Sequence, residues 1–91
     1  MTAKITLMTF PLFRKYPNNA SFFRLDSAEE FLELKIMGSR YSLISIKAKI
    51  LPDRNYIADM IAMENDHWIA SSEEEFERAL NECRQNRKEL L

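Results

Sequence analysis

Two stretches of alternating apolar and polar residues, on either side of the chain's only glycine, constrain the fold more than any other feature. Residues 32–36 alternate leucine and isoleucine with charged residues, and residues 41–50, YSLISIKAKI, repeat the pattern. A period of two is typical of half-buried strands, and β-branched residues favour them. The tetrapeptide MGSR between them holds Gly38 and predicts the connection of a β-hairpin.

The residues before these strands show a clear strand pattern only over 21–27. Residues 21–27, SFFRLDS, alternate like a strand, with Phe23 and Leu25 on one side. Residues 1–20 hold two prolines and an Asn-Asn pair and indicate irregular chain, apart from a possible short strand around Ile5. We therefore divide the chain into a poorly defined N-terminal segment, 1–20, and one α+β domain, 21–91.

The stretch NYIADMIAM fits two structures. As a helix it places Ile57, Met60 and Ile61 on one face, behind a proline and an aspartate suited to a first turn. As a strand it places alternate residues together. The turn-rich tetrapeptide ENDH that follows, between apolar IAM and WIA, is typical of a hairpin. This favours a strand over 56–63, a turn, and a strand over 67–70.

The C-terminal stretch SSEEEFERALNECRQNRKELL predicts a helix. Ser71 or Ser72 provides an N-cap, acidic residues cluster at its start and basic residues near its end. Its apolar residues recur with helical spacing and form one stripe. The stripe consists of Phe76, Ala79, Leu80, Cys83 and Leu90.

Together these elements predict an α+β fold, with an antiparallel β-sheet of four to five strands and the C-terminal α-helix packed on one face. The predicted core draws on the apolar face of the sheet, on Trp68 and on the helical stripe. It comprises Phe23, Phe31, Leu34, Ile44, Ile46, Trp68, Phe76, Leu80 and Cys83.

Composition excludes several classes of protein and function. The 91 residues suffice for one domain, and a single cysteine forms no internal disulfide, which fits a cytoplasmic location. No apolar run approaches the roughly 20 residues that a membrane-spanning helix needs. One glycine is too few for a phosphate-binding loop or a dinucleotide fingerprint. We therefore predict no cofactor and no membrane contact.

One face of the predicted sheet suggests contact with single-stranded nucleic acid. Cations that follow phosphates, interleaved with rings that stack on bases, are what such binding uses. A solvated sheet face is the simpler interpretation, because the pI of about 5.8 falls short of a basic footprint. The residues concerned are Phe22, Arg24, Lys35, Tyr41, Lys47 and Lys49.

The only histidine suggests a second alternative, a small metal-dependent hydrolase. His67 follows Asp66, and Asp59 lies in the preceding predicted strand. Zinc sites gather three or four such ligands, whereas this chain has one histidine and places Cys83 on an apolar stripe. The favoured interpretation is a turn histidine beside Trp68, which anchors the core.

The leading hypothesis is a non-catalytic protein-interaction module that forms a homodimer. A sheet face bearing Phe22, Tyr41 and Leu43 requires cover, and a small domain gains stability by burying such a patch in a twofold dimer. Residues 1–50 carry a net charge of +4 and residues 51–91 one of −5. This asymmetry suits association, although it can equally attract a polyanion or bring the two halves of one chain together. The residues specify no catalytic constellation, and the biological role stays unknown.

Overall fold

The computed structural model describes residues 9–90, which form a six-stranded sheet with a helix on each face. The strand order is β5-β1-β2-β3-β4-β6, so the predicted α+β class is confirmed. The strands are β1 (Leu12–Lys15), β2 (Ser21–Leu25), β3 (Glu30–Met37), β4 (Arg40–Lys47), β5 (Ile69–Ala70) and β6 (Lys88–Glu89). The helices are α1 (Leu51–Ala62) and α2 (Glu73–Asn86), with a short 3₁₀ turn at Glu64–Asp66.

Strands β1 to β4 form an antiparallel meander, and the predicted hairpin joins its last two strands, β3 and β4. Met37 pairs with Arg40 across the connection, where Gly38 adopts a φ of 63° that favours glycine. β1 pairs with β2 along its whole length, so part of the segment interpreted as poorly defined belongs to the sheet. The possible strand around Ile5 lies outside the described residues.

The prediction of a strand over 56–63 is wrong, because residues 56–62 belong to α1 and Met63 ends it. Pro52 occupies its first turn, where a missing N–H costs nothing. The Asp53 carboxylate accepts hydrogen bonds from the backbone N–H groups of Lys49 (3.0 Å) and Ile50 (3.4 Å) at the helix start. The helical face buries two large side chains, Ile57 and Met60, completely. A strand would instead have placed Ala58 and Ala62 beside Tyr56 and Met60 and left Ile57 on the other face, and alanines bury less apolar surface than isoleucine.

The tetrapeptide ENDH ends this helix and does not close a hairpin. Met63 takes the left-handed conformation common at helix C-termini (φ 55°), and Asp66 also has a positive φ. The predicted strand 67–70 shortens to β5, which pairs with β1 at the sheet edge. The same turn-forming residues thus act as a helix terminator, because both structures need a tolerated positive φ.

The C-terminal helix is confirmed, but it ends earlier than predicted. The Ser72 hydroxyl accepts the Glu75 N–H at 3.1 Å, as the capping spacing indicated. Beyond Asn86 the chain becomes extended, and β6 pairs in parallel with the start of β4. Leu90 therefore leaves the helical stripe and is 38% exposed. Its backbone N–H instead donates to the Tyr41 carbonyl at 2.8 Å.

The core divides between the two faces of the sheet, because each helix covers one face. The core between α1 and the sheet comprises Phe23, Leu25, Phe31, Ala48, Ile57, Met60 and Trp68. The core between α2 and the sheet comprises Phe22, Leu34, Tyr41, Phe76, Leu80 and Cys83. Of the predicted core, Ile44 and Ile46 are only partly buried. The expectation of an uncovered face bearing Phe22 and Tyr41 is wrong, because α2 covers it.

An ion pair fastens the start of α2 to β1. The Lys15 ammonium and the Ser71 hydroxyl both donate to the Glu75 carboxylate. These contacts, the hydrogen bond from Lys15 first, hold the pKa of Glu75 below its ordinary value of 4.5. The carboxylate is therefore stabilising in the folded state above that pH, and its contribution is lost as the pH falls through the lowered pKa.

Replacing Glu75 with glutamine is expected to make unfolding in urea less dependent on pH. At about pH 6 the variant should lose about 1 kcal/mol of stability, and the difference from the parent should shrink toward about pH 3. Glu74→Gln is the matched control, because the Glu74 side chain is 83% exposed and, among residues 9–90, pairs only with Arg78 on its own helix. A difference for Glu75→Gln that stays constant with pH contradicts this assignment.

Candidate functional site

The structure does not bring the predicted nucleic-acid-binding residues together on one exposed face. Phe22 and Tyr41 are 5% and 4% exposed, so neither ring is available to stack on a base. Lys35 pairs with Ser21 and Ser42, on the opposite face of the sheet from both rings. A stacking platform flanked by cations is therefore not assembled by these residues.

The remaining predicted cations lie apart from one another. The Arg24 guanidinium pairs with the Asp26 carboxylate at 2.8 Å. Lys47 is the last residue of β4, and Lys49 lies in the connection to α1, where its backbone N–H caps the helix through Asp53. Lys47 and Lys49 are both exposed, and they lie close together at the end of β4.

The surroundings of His67 form a recess of about 490 Å³ lined by Tyr16, Pro17, Asn18, Asp66 and His67. Asp59, the third residue of the hypothetical site, does not line this recess. Among residues 9–90 no three His, Cys, Asp or Glu side chains converge as metal ligands would. Trp68 is buried, with its ring 5.6 Å from those of Tyr56 and His67, so its predicted role as a core anchor is confirmed.

The titratable groups nearest to a catalytic arrangement are Tyr16, Tyr56 and Glu33 on the α1 face. The pKa of Tyr56 is raised, first by burial and then by the Tyr16 hydroxyl and the Glu33 carboxylate. Glu33 accepts a hydrogen bond of 2.8 Å from the Ser21 hydroxyl. The Tyr56 hydroxyl is protonated at neutral pH, as in any tyrosine, and the raised pKa strengthens that preference.

A second recess, of about 360 Å³, lies between α2 and the sheet. Phe22, Ile36 and Ala79 supply apolar lining. Its two arginines are occupied: Arg78 pairs with Glu74, and Arg87 pairs with Glu82 and donates to the Gly38 carbonyl. Nearby Cys83 is fully buried, and burial raises the pKa of its thiol, so it is a core residue and not a nucleophile.

The outer edge of β4 is the feature that the fold leaves without a partner. Antiparallel pairing with β3 turns the backbone groups of alternate residues toward β3, and those of Tyr41, Leu43, Ser45 and Lys47 outward. β6 pairs only with Arg40 and Tyr41. Among residues 9–90, no strand pairs with the outward side of residues 43–47, which we call the open edge.

The open edge is flanked by exposed apolar side chains at both ends. Beyond Lys47, the side chains of Ile50 and Leu51 are 60% and 68% exposed. At the other end, Leu90 lies beside the strand after Tyr41 and is 38% exposed. An unpaired strand edge bordered by apolar residues is a template for pairing with another chain.

Comparison with protein-family models, curated proteins and solved structures finds no match for this chain. Within residues 9–90, no helix combines the length and apolar character needed to cross a bilayer.

The sequence predicts the strand β4, but it does not predict that one side of this strand is left unpaired. The stretch LISIK shows high strand propensity, and this was the available signal. The open edge depends on the strand order β5-β1-β2-β3-β4-β6. It also depends on the shortness of β6, which ends at Glu89 and covers β4 only as far as Tyr41. That order results from contacts between distant segments, so no local pattern of residues carries it.

Proposed function

We propose that this chain is a small, cytoplasmic, non-catalytic protein-interaction module that forms a homodimer. The observation that carries the proposal is the open edge of β4. Its backbone N–H and C=O groups are available to a second strand, and main-chain pairing of this kind is a recurring mode of protein recognition. The apolar sheet face that the sequence suggested as an interface is covered by α2, so the open edge is the surface that supports association.

The exposed apolar residues beside the edge support association. Ile50 and Leu51 expose more of their surface than the other large apolar residues of the described chain. Single exposed apolar residues are ordinary on protein surfaces. Ile50 and Leu51 differ because they are adjacent to each other and lie next to the unpaired backbone of the open edge. Their burial would add a hydrophobic contribution to the hydrogen bonds of a paired edge.

The state of the chemically versatile side chains supports a role without catalysis. Cys83 is in the core, Glu75 is held in an ion pair and Tyr56 stays protonated. The single buried cysteine also suits a reducing compartment. No contact in the described residues specifically favours the nucleic-acid or metal-hydrolase alternatives, which stay predictions.

Sedimentation equilibrium or light scattering of the full chain tests the proposal. We expect the apparent mass to rise from monomer to dimer between roughly 5 and 500 µM, because an interface built on a short strand is small and weak. The dimer should persist when salt is raised from about 0.15 to about 0.5 M, which screens attraction between unlike charges. A strict monomer over the whole range contradicts the proposal, as does association that salt abolishes.

A further inference from the structure

We infer that the occupant of the open edge is a second copy of this chain, paired antiparallel with β4 so that Ser45 of each copy lies opposite Lys47 of the other. The inference rests on the proposed function and specifies its interface. A twofold axis perpendicular to the sheet, near Ile46, relates the two copies. The two six-stranded sheets then join into one continuous sheet, with each α2 on the same side.

Backbone geometry limits the possible registers. Only the odd-numbered residues of the edge direct N–H and C=O groups outward, so the hydrogen-bonded pairs must join Leu43, Ser45 and Lys47 of one copy to such residues of the other. A twofold axis consistent with these pairs has five possible positions. It lies at Leu43, near Ile44, at Ser45, near Ile46 or at Lys47.

The position of Leu90 excludes the axes at Leu43, Ile44 and Ser45, because each sets a residue of the partner copy where Leu90 lies. The parallel register of β6 with β4, together with the hydrogen bond from Leu90 N–H to the Tyr41 carbonyl, places Leu90 beside Ser42. An axis at Ser45 also places Ala48 of the partner copy beside Ser42. The Ala48 N–H donates to the carbonyl of Glu29, the residue before β3, and the Ala48 side chain is buried. Ala48 therefore cannot move aside to make room for Leu90.

Charge excludes the axis at Lys47, because it would place the two Lys47 side chains directly opposite each other. The axis near Ile46 avoids both conflicts. It places each Lys47 opposite the neutral Ser45, and it brings the partner's chain to the level of Leu90 only at Ile50, where that chain already turns into α1. Ile50 and Leu90, both exposed in the single chain, then meet across the interface.

The distribution of charge favours the same arrangement. Lys47 and Lys49 lie at one end of the open edge, and Glu89 lies at the other, on the face where it accepts a hydrogen bond from the Tyr41 hydroxyl. Arg40 and Lys88, which pair with each other in the register of β4 and β6, project from the opposite face. Antiparallel pairing therefore brings the basic end of each copy to the acidic Glu89 of the other.

The first test is Ser45→Pro in the full chain, with Ser45→Ala as the matched control. The Ser45 N–H points away from β3, so proline removes no hydrogen bond of the single chain, and edge positions tolerate it. We expect Ser45→Pro to weaken dimerisation about tenfold or more and Ser45→Ala to leave it unchanged, with identical circular dichroism. A Ser45→Pro dimer as tight as the parent places the interface elsewhere and overturns the inference, while the proposed function stands.

Disulfide formation tests the register. In the double variant Ser45→Cys, Lys47→Cys, opposed cysteines have Cα atoms about 5.5 Å apart, within range of a disulfide, so oxidation should yield covalent dimers. In Ser45→Cys alone the two thiols are offset along the strands by two residues, about 7 Å, and should cross-link poorly. Cys83 is buried and stays in place. Efficient cross-linking by Ser45→Cys alone contradicts the register, whereas a strict monomer in every variant contradicts the proposed function as well.

Discussion

Phe23→Ala is expected to destabilise the protein by about 3–5 kcal/mol, a large fraction of the stability of a domain this size. Phe23 is fully buried beneath α1. Its ring lies 5.3 Å from that of Tyr16, edge to face, and 6.0 Å from that of Phe31. Truncation removes the transfer energy of the ring and leaves a cavity among rigid aromatic neighbours, which collapse poorly.

Equilibrium unfolding in urea, followed by circular dichroism, measures this loss. Leu51→Ala is the control for removing a large apolar side chain, because Leu51 is 68% exposed, and it should cost less than about 0.5 kcal/mol. If Phe23→Ala costs no more than about 1.5 kcal/mol, the core beneath α1 is less tightly packed than the structure indicates.

Arg14→Met is expected to cost about 2–3 kcal/mol, because the Arg14 guanidinium ties β1 to the end of α1. Its Nε donates to the Met60 carbonyl and its Nη2 to the Ile61 carbonyl, both at 3.0 Å, and its Nη1 to the Phe13 carbonyl at 2.9 Å. Carbonyls in the last turn of a helix lack the usual N–H partner four residues on, and a cation there also interacts favourably with the helix dipole. The Met60 carbonyl accepts the N–H of Met63 as well. Burial lowers the pKa of this guanidinium, in keeping with its sheltered position.

The comparison with Arg24→Met isolates the effect of those carbonyls. Arg24 lies in the adjacent strand, but its side chain is 36% exposed and pairs with Asp26, so its loss should cost less than about 1 kcal/mol. Methionine keeps much of the aliphatic length of arginine in both variants. Equal losses of stability for the two variants would mean that the contacts of Arg14 with α1 contribute nothing specific.

Several elements could be predicted from local pattern because their determinants are close together in the chain. The hairpin around Gly38 follows from two alternating strands and a residue that tolerates positive φ. The start of α2 follows from Ser72 and the acidic residues after it, and Phe76, Leu80 and Cys83 of its stripe are buried as predicted. In each case the signal spans a few residues, so the sequence contains it in full.

Other elements could not be predicted because distant partners decided them. Residues 56–62 fit helix and strand alike, and the balance is set by the apolar surface of β2 and β3, which receives Ile57 and Met60. The residues after Asn86 continue a helical pattern, yet they form β6 because the Ser39 and Tyr41 carbonyls are available as hydrogen-bond acceptors. Tertiary contacts of this kind override local propensity.

The candidate site shows the same division. Sequence alone determined the class of fold, the meander at its centre, the capped helix near the C-terminus and most residues of the core, because alternation and helical spacing are local properties. Only the tertiary structure decided that α1 and α2 cover opposite faces of the sheet, that Phe22 and Tyr41 are buried, and that residues 43–47 form the open edge. The physical reason is that exposure of a face or an edge depends on which distant segments pack against it, and this information belongs to the assembled chain.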